Sequence, residues 1–146
     1  MKFLSELELH RLLLLAFHRS NRAIVTQTCR FPLLPGQPKI LDFLWGREGC
    51  TQREIGQGCA LDKSTVTGLL ARMEEQELIR RDTQDTDRRI SRVFLTDEGR
   101  KQAQRVRQVC AQVDEQAWRG ISERDRQRTV AVLEHILQNL EEVKKS

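Results

Sequence analysis

The sequence predicts a mainly α-helical fold with one small β-hairpin. Apolar residues recur at helical spacing through most of the 146 residues, and only residues 78–96 change to a strand-like pattern. Two helix-start signals stand close together before that stretch, a capping box at Thr51–Glu54 and a capping aspartate at Asp62. The predicted fold therefore contains two short consecutive helices that are followed by a hairpin. Longer helices lie on both sides of this unit.

The N-terminal third predicts two helices separated by a loop. Residues 5–28 repeat apolar side chains at helical spacing, and the Leu12–Leu15 run is apolar nearly all round, which favours partners on more than one side. Two prolines and a glycine within residues 31–36 allow only a loop. A second helix begins near Pro38, extends to about Glu48 and ends at a glycine.

The centre of the chain predicts a helix-turn-helix. A short helix opened by the Thr51 capping box extends to about Gly58, and a four-residue turn leads to the Asp62 cap. In the second helix, four apolar residues share one face: Val66, Leu69, Leu70 and Met73. The opposite side and its flanks carry small, polar or cationic residues: Lys63, Ser64, Thr65, Thr67, Gly68 and Arg72. A helix with an apolar back and a low polar front can enter a DNA major groove.

A hairpin with a charged tip follows this helix directly. Residues 78–82 and 92–96 have strand character, and the residues 84–89 between them are polar. A helix-turn-helix followed by a basic-tipped hairpin is a winged helix-turn-helix. We expect the helix to read the major groove and an arginine of the wing to enter the minor groove, where negative potential is enhanced.

The C-terminal third predicts two long helices with narrow apolar seams. Thr96 has the position of an N-cap, Gly120 ends the first helix, and Ser122 with Asp125 begins the next. The two seams consist of Ala103, Val106, Cys110, Val113 and Ala117, and of Val130, Leu133, Leu137 and Leu140. Such seams indicate either a hairpin that packs on its own lobe or dimerisation with a second copy, and we favour the dimer.

Three linked motifs resemble the MarR family of bacterial transcriptional regulators: Ser64–Thr67 at a helix start, Asp85–Arg89 in a wing, and Leu95–Gly99 at a strand exit. The resemblance implies one MarR-like domain over residues 1–146. It would contain a winged-helix DNA-binding lobe at 37–100 and a helical dimerisation region at 1–30 and 101–146. It further implies a homodimeric repressor that binds double-stranded DNA at a pseudo-palindromic operator and is released by a small aromatic or phenolic effector.

The residues expected to contact DNA are Lys63, Ser64, Thr65, Thr67, Arg72 and, by resemblance, the wing pair Arg88 and Arg89. The effector crevice implied by the resemblance would be lined by Phe17, His18, Arg22 and Trp45, although Trp45 also fits a plain core position. The chain departs from the family at two positions. It carries Gly68 where many relatives have arginine, and Glu77 where relatives often have a glycine with positive φ.

The composition narrows the classes of function that we expect for this chain. The formal net charge of +4 fits a polyanionic partner, and neither a targeting signal nor a bilayer-spanning apolar stretch is recognisable, so we expect a cytoplasmic protein without membrane contact. No metal-binding spacing, phosphate loop or catalytic constellation is present, so we expect no enzyme, metal or cofactor.

The four cysteines, Cys29, Cys50, Cys59 and Cys110, are either free thiols or the sensors of a redox-responsive regulator of the same fold. A winged-helix protein-interaction module is the remaining alternative.

Overall fold

The computed structural model, which describes residues 8–83 and 90–143, is mainly α-helical with one small antiparallel sheet, as the sequence predicts. The helices are α1 (Leu9–Thr28), α2 (Gln37–Leu44), α3 (Gln52–Cys59), α4 (Lys63–Glu75), α5 (Asp97–Ala117) and α6 (Glu123–Val143). The strands are β1 (Cys50–Thr51), β2 (Ile79–Asp82) and β3 (Arg92–Leu95), and their order in the sheet is β1-β3-β2. No described helix is long and apolar enough to cross a membrane.

Two predicted helix boundaries are wrong. Helix α1 begins at Leu9 rather than at residue 5, because Glu8 has extended backbone angles and forms the N-cap. Helix α2 ends at Leu44 rather than near Glu48, because Trp45 is extended and Gly46 has a φ of 76°. The early end of α2 also leaves Trp45 36% exposed, so this side chain is not a core residue.

The helix-turn-helix forms as predicted, and local caps define it. The Thr51 hydroxyl accepts a hydrogen bond from the Glu54 amide, and the Glu54 carboxylate accepts one from the Thr51 amide, each at 3.2 Å. Helix α3 ends at Cys59, and Ala60 takes a left-handed conformation that turns the chain. The carboxylate of Asp62 then caps α4 by accepting from the Thr65 amide at 2.7 Å. These short-range bonds satisfy amide groups that the helices leave without partners.

The predicted hairpin is confirmed, and the sheet contains a third strand that the sequence did not reveal. Strands β2 and β3 pair from Ile79 opposite Leu95 to Asp82 opposite Arg92. The two-residue β1 pairs with the other edge of β3. The tip of the hairpin, residues 84–89, lies outside the described residues.

The exit from β3 into α5 requires a glycine. Thr96 is the predicted N-cap, and its hydroxyl accepts a hydrogen bond from the Gly99 amide at 3.0 Å. A Cβ atom on Gly99 would overlap the carbonyl oxygen of Leu78. The Leu95–Gly99 motif therefore brings the first turn of α5 against the backbone that precedes β2.

The hydrophobic core binds α2, α3, α4 and the sheet together. Its fully or almost fully buried members include Ile40, Leu41, Leu44, Ile55, Val66, Leu70, Met73, Ile79, Val93 and Leu95. Burial of each such side chain is worth about 1.5–3 kcal/mol. This core holds α4 firmly by one face and leaves its other face free for a partner.

The chain divides into two compact units, Met1–Val113 and Asp114–Ser146. In the first unit, α5 buries Val106, Val109 and Val113, whereas the predicted seam residue Cys110 is half-buried. In the second unit, Ala117 is exposed rather than part of a buried seam. Helix α6 starts as predicted, with the Ser122 hydroxyl accepting from the Asp125 amide at 3.2 Å, and it has no buried residue.

Candidate nucleic-acid interface

Helix α4 has the two-sided character that the sequence predicts. Val66, Leu70 and Met73 are completely buried on one side. The residues expected to contact DNA on this helix are all exposed: Lys63, Ser64, Thr65, Thr67 and Arg72. We call α4 the reading helix, and we call these five exposed side chains the reading face.

Asp62 organises the start of the reading face. Its Oδ1 atom accepts hydrogen bonds from the Thr65 amide at 2.7 Å and from the Ser64 hydroxyl at 2.9 Å. The Thr65 amide, followed by the Ser64 and Thr65 side chains, holds the pKa of the Asp62 carboxyl below its usual range. Asp62 is therefore a carboxylate at neutral pH, and it already occupies one of the amides through which this helix start could bind a phosphate.

A chain of polar contacts connects the wing to the reading face. Gln52 Nε2 donates to Thr67 Oγ1 at 2.5 Å, and Gln52 Oε1 accepts from Arg81 Nη1 at 3.4 Å. Arg81 Nε in turn lies 3.8 Å from Glu74 Oε2, which is an ion-pair distance. Sequence reasoning missed Gln52 and Arg81, because nothing in the sequence pairs positions that lie 15 and 29 residues apart.

The cations of this surface are available to an anionic partner. Neither the Lys63 ammonium nor the Arg72 guanidinium forms a hydrogen bond or ion pair with any residue in the ranges 8–83 and 90–143. Arg80 projects from β2, where its guanidinium stacks 4.6 Å from the centre of the Phe94 ring. Arg88 and Arg89, the predicted wing pair, lie outside the described residues.

A cavity of about 660 Å³ opens within the first unit. It extends from α1 to the reading helix, and its walls include Phe17, Ile24, Leu33, Leu69 and Val106. Polar groups interrupt these apolar walls, among them Lys39, whose ammonium lies 5.2 Å from the centre of the Phe17 ring.

Only one of the four residues expected in an effector crevice lines this cavity. Phe17 lines the cavity, whereas His18, Arg22 and Trp45 are exposed and are not among the residues that line it. Sequence reasoning missed the contribution of the loop at residues 33–36 and of Thr65 and Leu69 from the reading helix.

All four cysteines are free, and they fall into two groups by their surroundings. Burial raises the pKa of the Cys50 thiol, and burial also raises the pKa of the Cys59 thiol, to about 11. Both therefore remain protonated and weakly nucleophilic at neutral pH. Cys29 and Cys110 both line the cavity.

A helix with a buried apolar back and an exposed polar front, preceded by a turn and followed by a β-hairpin, defines a winged helix-turn-helix protein. Residues 31–90 match the sequence model of the MarR family. The solved structure of transcriptional regulator PA3341 superimposes with a TM-score of 0.85 and 26% identity, over 92% of this chain and 99% of that one. The match to the MarR family thus covers α2, the helix-turn-helix and β2, and the chain is similar to that family over these elements.

Two further similarities extend the comparison. The transcriptional regulator TtmR of Methylorubrum extorquens is 38% identical over 85 residues, which cover 58% of this chain and 44% of TtmR. The chain thus spans less than half the length of this curated relative. The repressor CouR, solved bound to a 23-mer DNA duplex, is 25% identical with a TM-score of 0.76, over 92% of this chain and 94% of CouR.

Proposed function

We propose that this chain is a transcriptional repressor that binds double-stranded DNA as a homodimer in the cytoplasm. The observation that carries the proposal is the reading face, where hydroxyl and cationic side chains are exposed while the back of α4 is fully buried. A rigid helix with this front suits the major groove. The similarity to CouR, whose structure contains a DNA duplex, supports the same partner.

Apolar residues on α6 support a homodimer. Leu137 is 67% exposed and Leu140 50%, and these residues continue a stripe that begins at Val130 and Leu133. An apolar stripe that a single chain leaves in water favours association with another copy. A two-fold dimer would present two reading helices about one DNA turn apart, roughly 34 Å, to a pseudo-palindromic operator.

The cavity supports release of DNA by a small effector. Its volume suits a small aromatic or phenolic molecule, and its walls include Thr65 and Leu69 of the reading helix. A molecule in this cavity would therefore contact the helix that reads DNA. Such an effector weakens DNA binding if it prefers a position of α4 that does not fit the groove.

The cysteine pair in the cavity favours one alternative mode of release. Cys29 and Cys110 both line the space that an effector would enter, so a redox-sensing regulator would use these two thiols. Cys50 and Cys59 are less suited to that role, because burial raises the pKa of both thiols and so disfavours the reactive thiolate.

Footprinting tests the proposal. We expect the protein to protect a palindrome with two half-sites in the intergenic DNA beside its own gene, with an affinity that falls steeply as salt rises. Arg72→Ala removes a free cation of the reading face and should weaken binding by about 1–3 kcal/mol, or about 5- to 150-fold. Arg124→Ala makes the same charge change at an exposed position of α6 and should have little effect. Absence of any protected site would leave the protein-interaction module as the better assignment.

A further inference from the structure

Two hydroxyl groups of the reading face have already used their protons within the protein. Each hydroxyl carries one hydrogen to donate and two lone pairs to accept with. The Ser64 hydroxyl donates to the Asp62 carboxylate at 2.9 Å, and the Thr67 hydroxyl donates to the Lys63 carbonyl at 2.8 Å. Towards a partner, both groups can only accept.

Asp62 makes the hydrogen bond of Ser64 hard to redirect. Its carboxylate is a charged acceptor, and hydrogen bonds to a charged acceptor are roughly twice as strong as neutral ones. The Ser64 proton therefore stays directed at Asp62 rather than turning towards a partner.

Gln52 independently fixes the direction of the hydrogen bonds that the Thr67 hydroxyl forms. A guanidinium has only donors, so the side-chain atom of Gln52 that faces Arg81 must be the amide oxygen. The amide nitrogen therefore faces Thr67 and occupies one of its two lone pairs. Thr67 retains one lone pair for a partner.

We infer that Asp62 and Gln52 convert the reading face into an acceptor surface that recognises the exocyclic amino groups of adenine and cytosine. In the major groove, only adenine N6 and cytosine N4 donate hydrogen bonds, whereas guanine and thymine present acceptors. Phosphate oxygens also only accept, so the hydroxyls of Ser64 and Thr67 are unsuited to the DNA backbone. Lys63 and Arg72 are left to contact phosphates or guanine. This specificity rests on the proposed DNA-binding function.

Base replacement in a selected duplex tests the inference with the wild-type chain. A binding sequence is first enriched from random duplexes, and Ser64→Ala and Thr67→Val then identify the base pairs whose selection depends on these hydroxyls. We expect adenine or cytosine at those positions. Replacing adenine by purine, or cytosine by 2-pyrimidinone, removes the amino group and should lower affinity about tenfold. The same replacements at other positions serve as the control.

A pair of variants at Asp62 tests whether this side chain causes the acceptor character of the reading face. Asp62→Gly removes the acceptor and frees the Ser64 proton, while glycine remains a tolerated residue at a helix N-cap. Asp62→Asn makes the same charge change but keeps a carbonyl acceptor. We expect the glycine variant to admit guanine or thymine at the mapped positions, and the asparagine variant to retain the wild-type preference.

The outcomes separate the inference from the function on which it rests. If no sequence is enriched from the random duplexes, the proposed function fails as well. If a sequence is enriched but the mapped positions hold guanine or thymine, DNA binding stands and the acceptor surface is refuted. Equal base preferences of the glycine and asparagine variants would likewise refute the role of Asp62.

Discussion

Glu77 holds a backbone conformation that usually belongs to glycine. Its φ is 59°, directly after the end of the reading helix, at the position where relatives of the MarR family often have a glycine. The carbonyl of Glu77 accepts from the Thr96 hydroxyl at 2.6 Å, so the start of α5 holds this turn in place. A left-handed conformation costs a residue with a Cβ roughly 1–2 kcal/mol.

Replacing Glu77 by glycine should therefore stabilise the protein. The relief of strain exceeds the entropy that glycine loses on folding, and we expect the free energy of unfolding to rise by about 0.5–1 kcal/mol in urea denaturation. Ala60→Gly, at a φ of 54°, should act in the same direction. Ala71→Gly is the control, because Ala71 is exposed in the interior of α4, and this variant should destabilise by about 1 kcal/mol. A fall in stability for the Glu77 variant would show that its side chain contributes more than the strain costs.

Residue-level features were predictable where the interaction is local. The caps at Thr51, Asp62 and Thr96 each join residues three positions apart, and the structure contains all three. Buried polar contacts between distant positions were not predictable. Gln37, which is completely buried, donates to Gln76 at 2.6 Å across 39 residues, and only the folded chain brings this pair together.

Among the elements, the reading helix contains an unusual glycine in its exposed middle. A Cβ on Gly68 would meet no atom within 4 Å. This space is open towards the expected position of DNA, so the protein fold does not require the glycine. Its cost is the low helix propensity of glycine, about 0.8–1 kcal/mol relative to alanine.

Gly68→Ala should raise the free energy of unfolding by about 0.5–1 kcal/mol, measured by urea denaturation. Gly58→Ala is the matched control, since Gly58 is also exposed and helical but a Cβ there would overlap the Phe43 ring. We expect that second variant to be less stable than the wild type. Equal effects of the two substitutions would mean that the space around each glycine does not determine how an added Cβ changes stability.

The elements with strong periodicity were predicted, and those held by tertiary contacts were not. Helix α4 and the pairing of β2 with β3 follow from apolar spacing within one segment. Strand β1 has only two residues, and it exists because it pairs with Val93 and Arg92 from a distant part of the chain. Helix α5 buries Val109 rather than the predicted Cys110, because the elements that pack on a helix decide which of two adjacent residues faces the core.

At the scale of the whole molecule, each unit exposes apolar side chains that a soluble monomer would normally cover. In the first unit, α1 leaves Leu14 65% and Phe17 59% exposed. In the second unit, Leu137 and Val143 of α6 are each at least 65% exposed. Exposed apolar side chains on both terminal helices are the pattern expected if these helices form the interface of a dimer.

Leu137→Glu should convert a dimer into a monomer. A carboxylate in the middle of an apolar interface must be desolvated, so association becomes unfavourable. We expect sedimentation to show a dimer for the wild type and a monomer for the variant, with helical content retained. Affinity for a palindromic site should fall by about a hundredfold or more, because the second half-site no longer binds at high effective concentration.

The adjacent exposed position supplies the control for this test. Gln138→Glu adds the same charge on α6, outside the Val130, Leu133, Leu137 and Leu140 stripe, and should leave both the dimer and DNA affinity nearly unchanged. A wild-type chain that sediments as a monomer would contradict the dimer directly. If the Leu137 variant instead remained a dimer with weakened DNA binding, α6 would not form the interface, and the exposed side chains of α1 would become the better candidate.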